Sequence, residues 1–106
     1  MDLSDLGKMQ QMLSNAREMQ SQMEQRLTET TVEGTSGGGA VSVRMNGKKV
    51  LQKITIDPSA ASSAVADITL LEDLILAAVN EASRKADAAA QSSASSMLGG
   101  LNLPGL

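Results

Sequence analysis

From Leu6 to Leu27, apolar side chains recur three or four residues apart, at Leu6, Met9, Leu13, Ala16, Met23 and Leu27, with Gln20 in the one remaining seam position. That spacing predicts an amphipathic helix over about residues 3–27 carrying a heptad seam about three repeats long. Met12 and Met19 widen the seam, and the outer positions are mostly Gln, Ser and Glu, as on a solvated helix surface. The period then shortens to two. Thr30, Thr31, Val32 and Glu33 read as a short edge strand, and after the glycine-rich run Gly34-Thr-Ser-Gly-Gly-Gly39 the residues Val41, Val43 and Met45 alternate with Ser42 and Arg44. Asn46-Gly47 predicts a type I′ hairpin turn, with Val50, Ile54 and Ile56 continuing the apolar face on the return strand. The strands together span about residues 29–57.

Asp57-Pro58 ends the return strand, because proline has no amide to donate, and the small polar stretch Ser59 to Asp67 reads as a loop. Thr69-Leu-Leu-Glu72 fits a capping box that opens a second helix over about 69–91. On that helix Leu71, Leu74, Ile75, Ala78, Ala82, Ala86 and Ala89 form one face, while Asp73, Asn80, Arg84, Asp87 and Gln91 form the other. From Ser92 the composition turns to Ser, Gly, Leu and Pro without a period, so 92–106 is expected to be a flexible tail. The expected fold is α/β of the α+β type: one domain, residues 1–91, built as helix, three-stranded antiparallel β-meander, helix. A hairpin covered by one helix makes a thin core, and the heptad arm has no intrachain helix of equal length to pair with. A homodimer is therefore expected, with Leu6, Met9, Leu13, Met23 and Leu27 on the arm and Val43 on the sheet as candidate interface residues.

Composition narrows the chemistry. The 106 residues include no Cys and no His, which excludes disulfides and thiolate metal sites and removes the usual zinc ligand and general base. No metal and no cofactor are expected. Phe, Tyr and Trp are also absent, so the stacking platforms of single-strand nucleic-acid binders are missing. The N-terminus is acidic where a secretory signal is basic, and the apolar stretch from Ile68 to Val79 holds Glu72 and Asp73 in its middle. A cytoplasmic chain without a membrane partner is the expectation. The glycine run lacks the Gly-Lys-Ser/Thr ending and following helix of a nucleotide loop and reads as a connection between strands. Glu72, Asp73 and Asp57 are accounted for by a cap, an exposed face and a turn, so no catalytic residue, enzyme activity or small-molecule substrate is expected.

The basic residues carry the remaining information. Between Gly34 and Ile56 lie Arg44, Lys48, Lys49 and Lys53 with no Asp or Glu. Strand alternation puts Arg44, Lys49 and Lys53 on the outer face, and a two-residue turn sets Arg44 opposite Lys49, a like-charge pair that an anionic partner relieves. Edge lysines that resist sheet aggregation account for the same residues. On the helices Arg17 has no acid three or four residues away, whereas Lys8, Arg26 and Lys85 each have one and Arg84 has two, Glu81 and Asp87. The net charge of −3 counts against a nucleic-acid partner. Met9, Met12, Met19 and Met23 suit either dimer packing or a groove for a partner helix, the latter making the chain a dimeric protein-interaction module with weak or no DNA binding.

The Met/Gln-rich first helix, Glu33-Gly34 to Ala40, Val41 to Gly47, Ile54 to Ser59, Leu70-Leu-Glu-Asp-Leu74 and Ala78-Val-Asn-Glu-Ala82, taken in order, resemble the YbaB/EbfC family of bacterial nucleoid-associated proteins. The resemblance spans nearly the whole chain. It implies an intertwined homodimer whose central strands join across two chains while helices project as arms, a non-enzymatic binder of double-stranded DNA that changes its conformation, organises the nucleoid and influences gene expression. Carried onto this chain, the candidate DNA contacts are Lys8, Arg17, Arg26, Arg84 and Lys85 on the arms and Arg44, Lys48, Lys49 and Lys53 on the sheet.

Overall fold

A computed structural model describes residues 2–64 and 67–99. Helix α1 (Leu3–Glu29) leads into three strands, β1 (Thr31–Ser36), β2 (Val41–Asn46) and β3 (Leu51–Ile56), followed by a short helix α2 (Pro58–Ala64) and a long helix α3 (Ile68–Gly99). The strands form one antiparallel sheet in the order β1-β2-β3, the expected meander between helices.

The core is built on alternation. Val41, Val43 and Met45 of β2 point to one face of the sheet and are buried there against Ala78, Ala82 and Ala86 of α3. Leu71, Leu74, Ile75 and Val79 extend this contact on the helix, and Val32 and Ile56 extend it on the flanking strands. The most buried helix positions are thus the alanines, because β1 comes so close that only small residues fit. A methyl group added to Gly34 would overlap the Ala78 carbonyl and stand 2.6 Å from the Ala82 nitrogen. Ser36 donates its hydroxyl to the Leu74 carbonyl and fastens the same strand one turn nearer the helix start.

The β1–β2 connection passes through Gly37, Gly38 and Gly39, all with positive φ, which glycine adopts without cost. The glycine run, read from the sequence as a connection between strands from Gly34 onward, is shorter than expected: Gly34, Thr35 and Ser36 pair with β2 as part of β1, and only Gly37 to Ala40 form the reversal. The β2–β3 connection differs from the expected two-residue type I′ turn. Asn46 N donates to the Val50 carbonyl and Lys49 N to the Asn46 carbonyl, closing a three-residue loop in which Lys49 takes the left-handed conformation (φ 66°). The Asn46 side chain accepts from the amides of Lys48 and Val50 and holds the loop shut. Gly47 is needed here for proximity instead of φ. Its amide donates to the carbonyls of Leu27 (2.8 Å) and Thr30 (3.0 Å), and a methyl group on it would meet the Leu27 oxygen at 2.9 Å. The turn thereby satisfies carbonyls at the C-terminal end of α1.

Three further expectations change. Residues 59–64 are helical instead of loop: Pro58 occupies the first helical position, and the Asp57 carboxylate accepts from the Ser59 amide (2.8 Å) and hydroxyl (2.6 Å). Those bonds to Ser59 hold the Asp57 carboxyl below its ordinary pKa. Helix α3 starts at Ile68 with Asp67 accepting from the Leu70 amide, so Asp67 and not Thr69 is the cap. The helix also runs to Gly99, past the expected end at 91, because Ala94 and Met97 find apolar neighbours in Met19 and Met23 of α1. The rest of the expected tail, residues 100–106, lies outside the described residues.

The molecule measures 74 × 26 × 18 Å. In its C-terminal half α1 lies beside α3, where Met19 and Met23 face Ala94 and Met97, and in its N-terminal half Leu6, Met9 and Leu13 are exposed by 44%, 52% and 57%. Gly34→Ala tests the close contact on which the fold depends. Overpacking of this kind is expected to cost about 1–3 kcal/mol, read as a lower urea midpoint at unchanged slope. An unchanged midpoint would mean that β1 and α3 can separate freely.

Candidate nucleic-acid interface

Charge is distributed unevenly over these elements. Helix α1 carries three basic residues against four acidic, and α3 carries two against four, whereas the strands and their turns from Thr31 to Ile56 carry four against one. All nine cations have exposed side chains. Their surroundings separate them.

Lys49 and Lys85 are committed to helix acids. The Lys49 ammonium lies 2.8 Å from the Asp87 carboxylate of α3, which draws it from the turn to the helix side of the sheet, not to the outer face that alternation predicted. Lys85 sits 3.1 Å from Glu81 and donates to the Glu33 carbonyl on the free edge of β1 at 2.9 Å. The hydrogen bond from Lys85 is the main reason the Glu81 carboxyl titrates below its ordinary pKa, against a smaller opposing effect of desolvation. Arg84 adds to that lowering without touching an acid.

Arg44 occupies the centre of the outer face. Its strand partners are Glu33 on β1 and Lys53 on β3, not Lys49, because the longer turn and an extra residue at Gln52 shift the register beyond Met45. Arg44 lies 3.6 Å from Glu33, a loose contact between two exposed side chains. Lys8, Arg17, Arg26, Lys48, Lys53 and Arg84 make no ion pair among the described residues. The near acids expected for Lys8 and Arg26 are present in sequence but not in contact.

Of the candidate interface residues, Val43 is 1% exposed inside a single chain, so it has no surface to offer a second one. The exposed apolar residues of the sheet lie instead on and beside β3, where Val50, Leu51 and Ile54 are 55%, 41% and 44% exposed. Met23 and Leu27 are half-buried within the chain, and Leu6, Met9 and Leu13 are open. No group of acids among the described residues is arranged to hold a metal ion.

A family model for the YbaB/EbfC DNA-binding family matches residues 6–101. The chain belongs to that family. Relatives include a nucleoid-associated protein of Acidobacterium capsulatum, 61% identical over 100 residues that cover 92% of this chain and 93% of the relative. A nucleoid-associated protein of Koribacter versatilis is 44% identical, covering 90% and 92%. Among solved structures, an uncharacterized protein from Helicobacter pylori superposes with a TM-score of 0.72 at 30% identity, covering 92% of this chain and 98% of that one. The α+β meander with two long helices is therefore the fold of this YbaB/EbfC chain and of a solved neighbour alike.

Within this family member, Lys85→Met is expected to raise the Glu81 titration toward the ordinary carboxylate range, measured by carbon-detected NMR. A folded-state pKa below the unfolded one stabilises the fold above the ordinary pKa, and this contribution is lost as pH falls through the lowered value. Wild type should therefore lose more stability than the variant on acidification across that window. Identical Glu81 titrations in the two proteins would mean that the Lys85 contact does not persist in solution.

Proposed function

We propose that this chain is a homodimeric, nucleoid-associated protein of the bacterial cytoplasm that binds duplex DNA through phosphate contacts and alters its conformation, with consequences for nucleoid organisation and gene regulation. The observation that carries the reading is membership of a DNA-binding family, joined to a strand region that is positive while both long helices are negative. Phosphate contacts position a protein on DNA without reading bases. The absence of aromatic residues favours duplex over single strands. No described helix is long and apolar enough to cross a membrane.

Dimerisation is supported by the difference between the two sheet edges. The β1 edge has its Glu33 carbonyl capped by Lys85, while β3 carries exposed Leu51 and Ile54 beside an unpaired edge. An uncovered apolar edge strand is a template for pairing with another strand. Ile54→Glu is expected to reduce the mass found by light scattering from two chains to one, and a mass that stays at two would move the interface to α1.

The DNA reading is tested by fluorescence anisotropy of a labelled duplex of about 30 base pairs at several salt concentrations, where log K should fall linearly with log salt at about 0.9 per phosphate neutralised. A second reading is favoured by the bare row Leu6, Met9 and Leu13 on α1 and by the apolar groove of about 310 Å³ between Met19, Met23 and Met97. In that reading the arms capture a partner helix and DNA binding is weak or absent. A flat anisotropy titration at the lowest salt would favour it.

A further inference from the structure

We propose that the exposed apolar row Leu6, Met9 and Leu13 on α1 is a docking site for residues 100–106 of the same chain, with Leu101, Leu103 and Leu106 as the side chains that seat on it. That segment lies outside the described residues, and its place follows from where α3 ends and where it is heading.

The two long helices run antiparallel. The β2–β3 turn holds the end of α1 through the bonds from Gly47 to Leu27 and Thr30, and it holds Asp87 of α3 through Lys49. Further along α3, Ala94 and Met97 line an apolar groove with Met19 and Met23, which lie earlier in α1. Helix α3 therefore travels toward the start of α1, and at Gly99 it faces the part of α1 where the apolar side chains are bare. Leu6, Met9 and Leu13 continue the heptad face to which the half-buried Met23 and Leu27 belong. The row thus extends a contact that the chain already makes with itself.

The lengths agree. Along α1 from Met19, at about 1.5 Å per residue, Leu13, Met9 and Leu6 lie about 9, 15 and 20 Å further on. From Met97, with the helix ending at Gly99 and an extended chain of about 3.3 Å per residue beyond it, Leu101, Leu103 and Leu106 reach about 10, 16 and 26 Å. Each leucine is brought level with one member of the row, with slack left for the last. An extended course also suits the sequence. Gly99-Gly100 disfavours a helix, Pro104 has no amide to continue one, and a following proline pushes Leu103 away from helical backbone.

Residues 100–106 carry no charged side chain, so seating them on α1 buries no ionisable group. The other exposed apolar residues are out of line for them. Val50, Leu51 and Ile54 on and beside β3 and Ile68, Leu70 and Leu76 at the start of α3 all lie behind Gly99. Turning back as far as Asp87 takes about 18 Å of the roughly 23 Å that seven residues span, which uses most of the segment before Val50 is met. Docking on α1 also occupies the surface on which capture of a partner helix depends, so a foreign helix would have to displace this segment first.

The test is methyl NMR on the full wild-type chain, without DNA. Nuclear Overhauser contacts are expected between the methyl groups of Leu101 and Leu13 and between those of Leu103 and Met9. In a sample of mixed isotope-labelled and unlabelled chains, filtered for contacts between chains, the same cross-peaks should be absent. Leu103→Ser should shift the Met9 methyl signal and leave the methyl signals of Val41 in place, since Val41 is buried in the core at the far end of α3. Cross-peaks that appear in the filtered spectrum would overturn the assignment in favour of a second copy as the occupant. No cross-peak in either sample, with a Met9 signal indifferent to Leu103→Ser, would overturn it and leave the row open to a partner helix. Neither result bears on whether the chain binds DNA, so the two readings fail separately.

Discussion

The close approach of β1 to α3 governs the rest of this structure. With glycine at position 34 and alanine at 78 and 82, strand and helix meet nearly backbone to backbone, so α3 lies low across the sheet and Val41, Val43 and Met45 fill the space beneath it. Helix α3 crosses from the β1–β2 reversal, where Leu74 receives the Ser36 hydroxyl, toward the β2–β3 turn, where Asp87 meets Lys49. Beyond the turn it leaves the sheet and runs beside α1. The direction of α1 is set by the same turn, since Gly47 is bonded to the carbonyls of Leu27 and Thr30. One small-residue contact thus orients both long helices. Packing at this density leaves no room for an added methyl group without displacement of a main-chain segment.

Much of this architecture was legible in the residues, because the periods are clean. The change from a spacing of three and four in α1 to two in β2 needs no tertiary knowledge, and the alternation of Val41, Val43 and Met45 correctly selects the buried face. What was not legible depended on contacts between distant segments. Asn46-Gly47 carries the chemistry of a two-residue turn, but Gly47 serves the docking of α1, and the left-handed position passes to Lys49. Lys49 is a poor residue for that conformation, and its ion pair with Asp87 is a contact that local propensity does not register. In the same way Ser92 to Gly99 has no amphipathic period, and its helix is supported by Met19 and Met23, some seventy residues earlier in sequence.

The cations show the same division. Alternation finds Arg44 and Lys53 on the outer face, and helix spacing finds the Lys85 pair with Glu81. Neither reveals that Lys85 also reaches the β1 carbonyl of Glu33, fifty-two residues away in sequence, or that Lys49 turns to the helix side. The extra residue at Gln52 has the largest effect, because it brings Lys53 opposite Arg44. A one-residue change in register decides which charges face each other.

Net charge is a poor guide to what such a chain attracts. A total of −3 describes the field only at distances large compared with the molecule, and this one is 74 Å long. At physiological salt a charge is screened over about 8 Å, so acids toward the outer ends of the helices contribute little at the sheet. What a nearby polyanion meets on the outer face is Arg44 and Lys53 against Glu33, an excess of one positive charge per chain, with Lys48 adding to it at the adjoining turn. Joining two chains at β3 would set two such faces side by side and double that excess without changing the sign of the whole. An acidic chain in a DNA-binding family is therefore no paradox, since the strands and their turns from Thr31 to Ile56 carry four bases against one acid while the excess of acids lies on the helices.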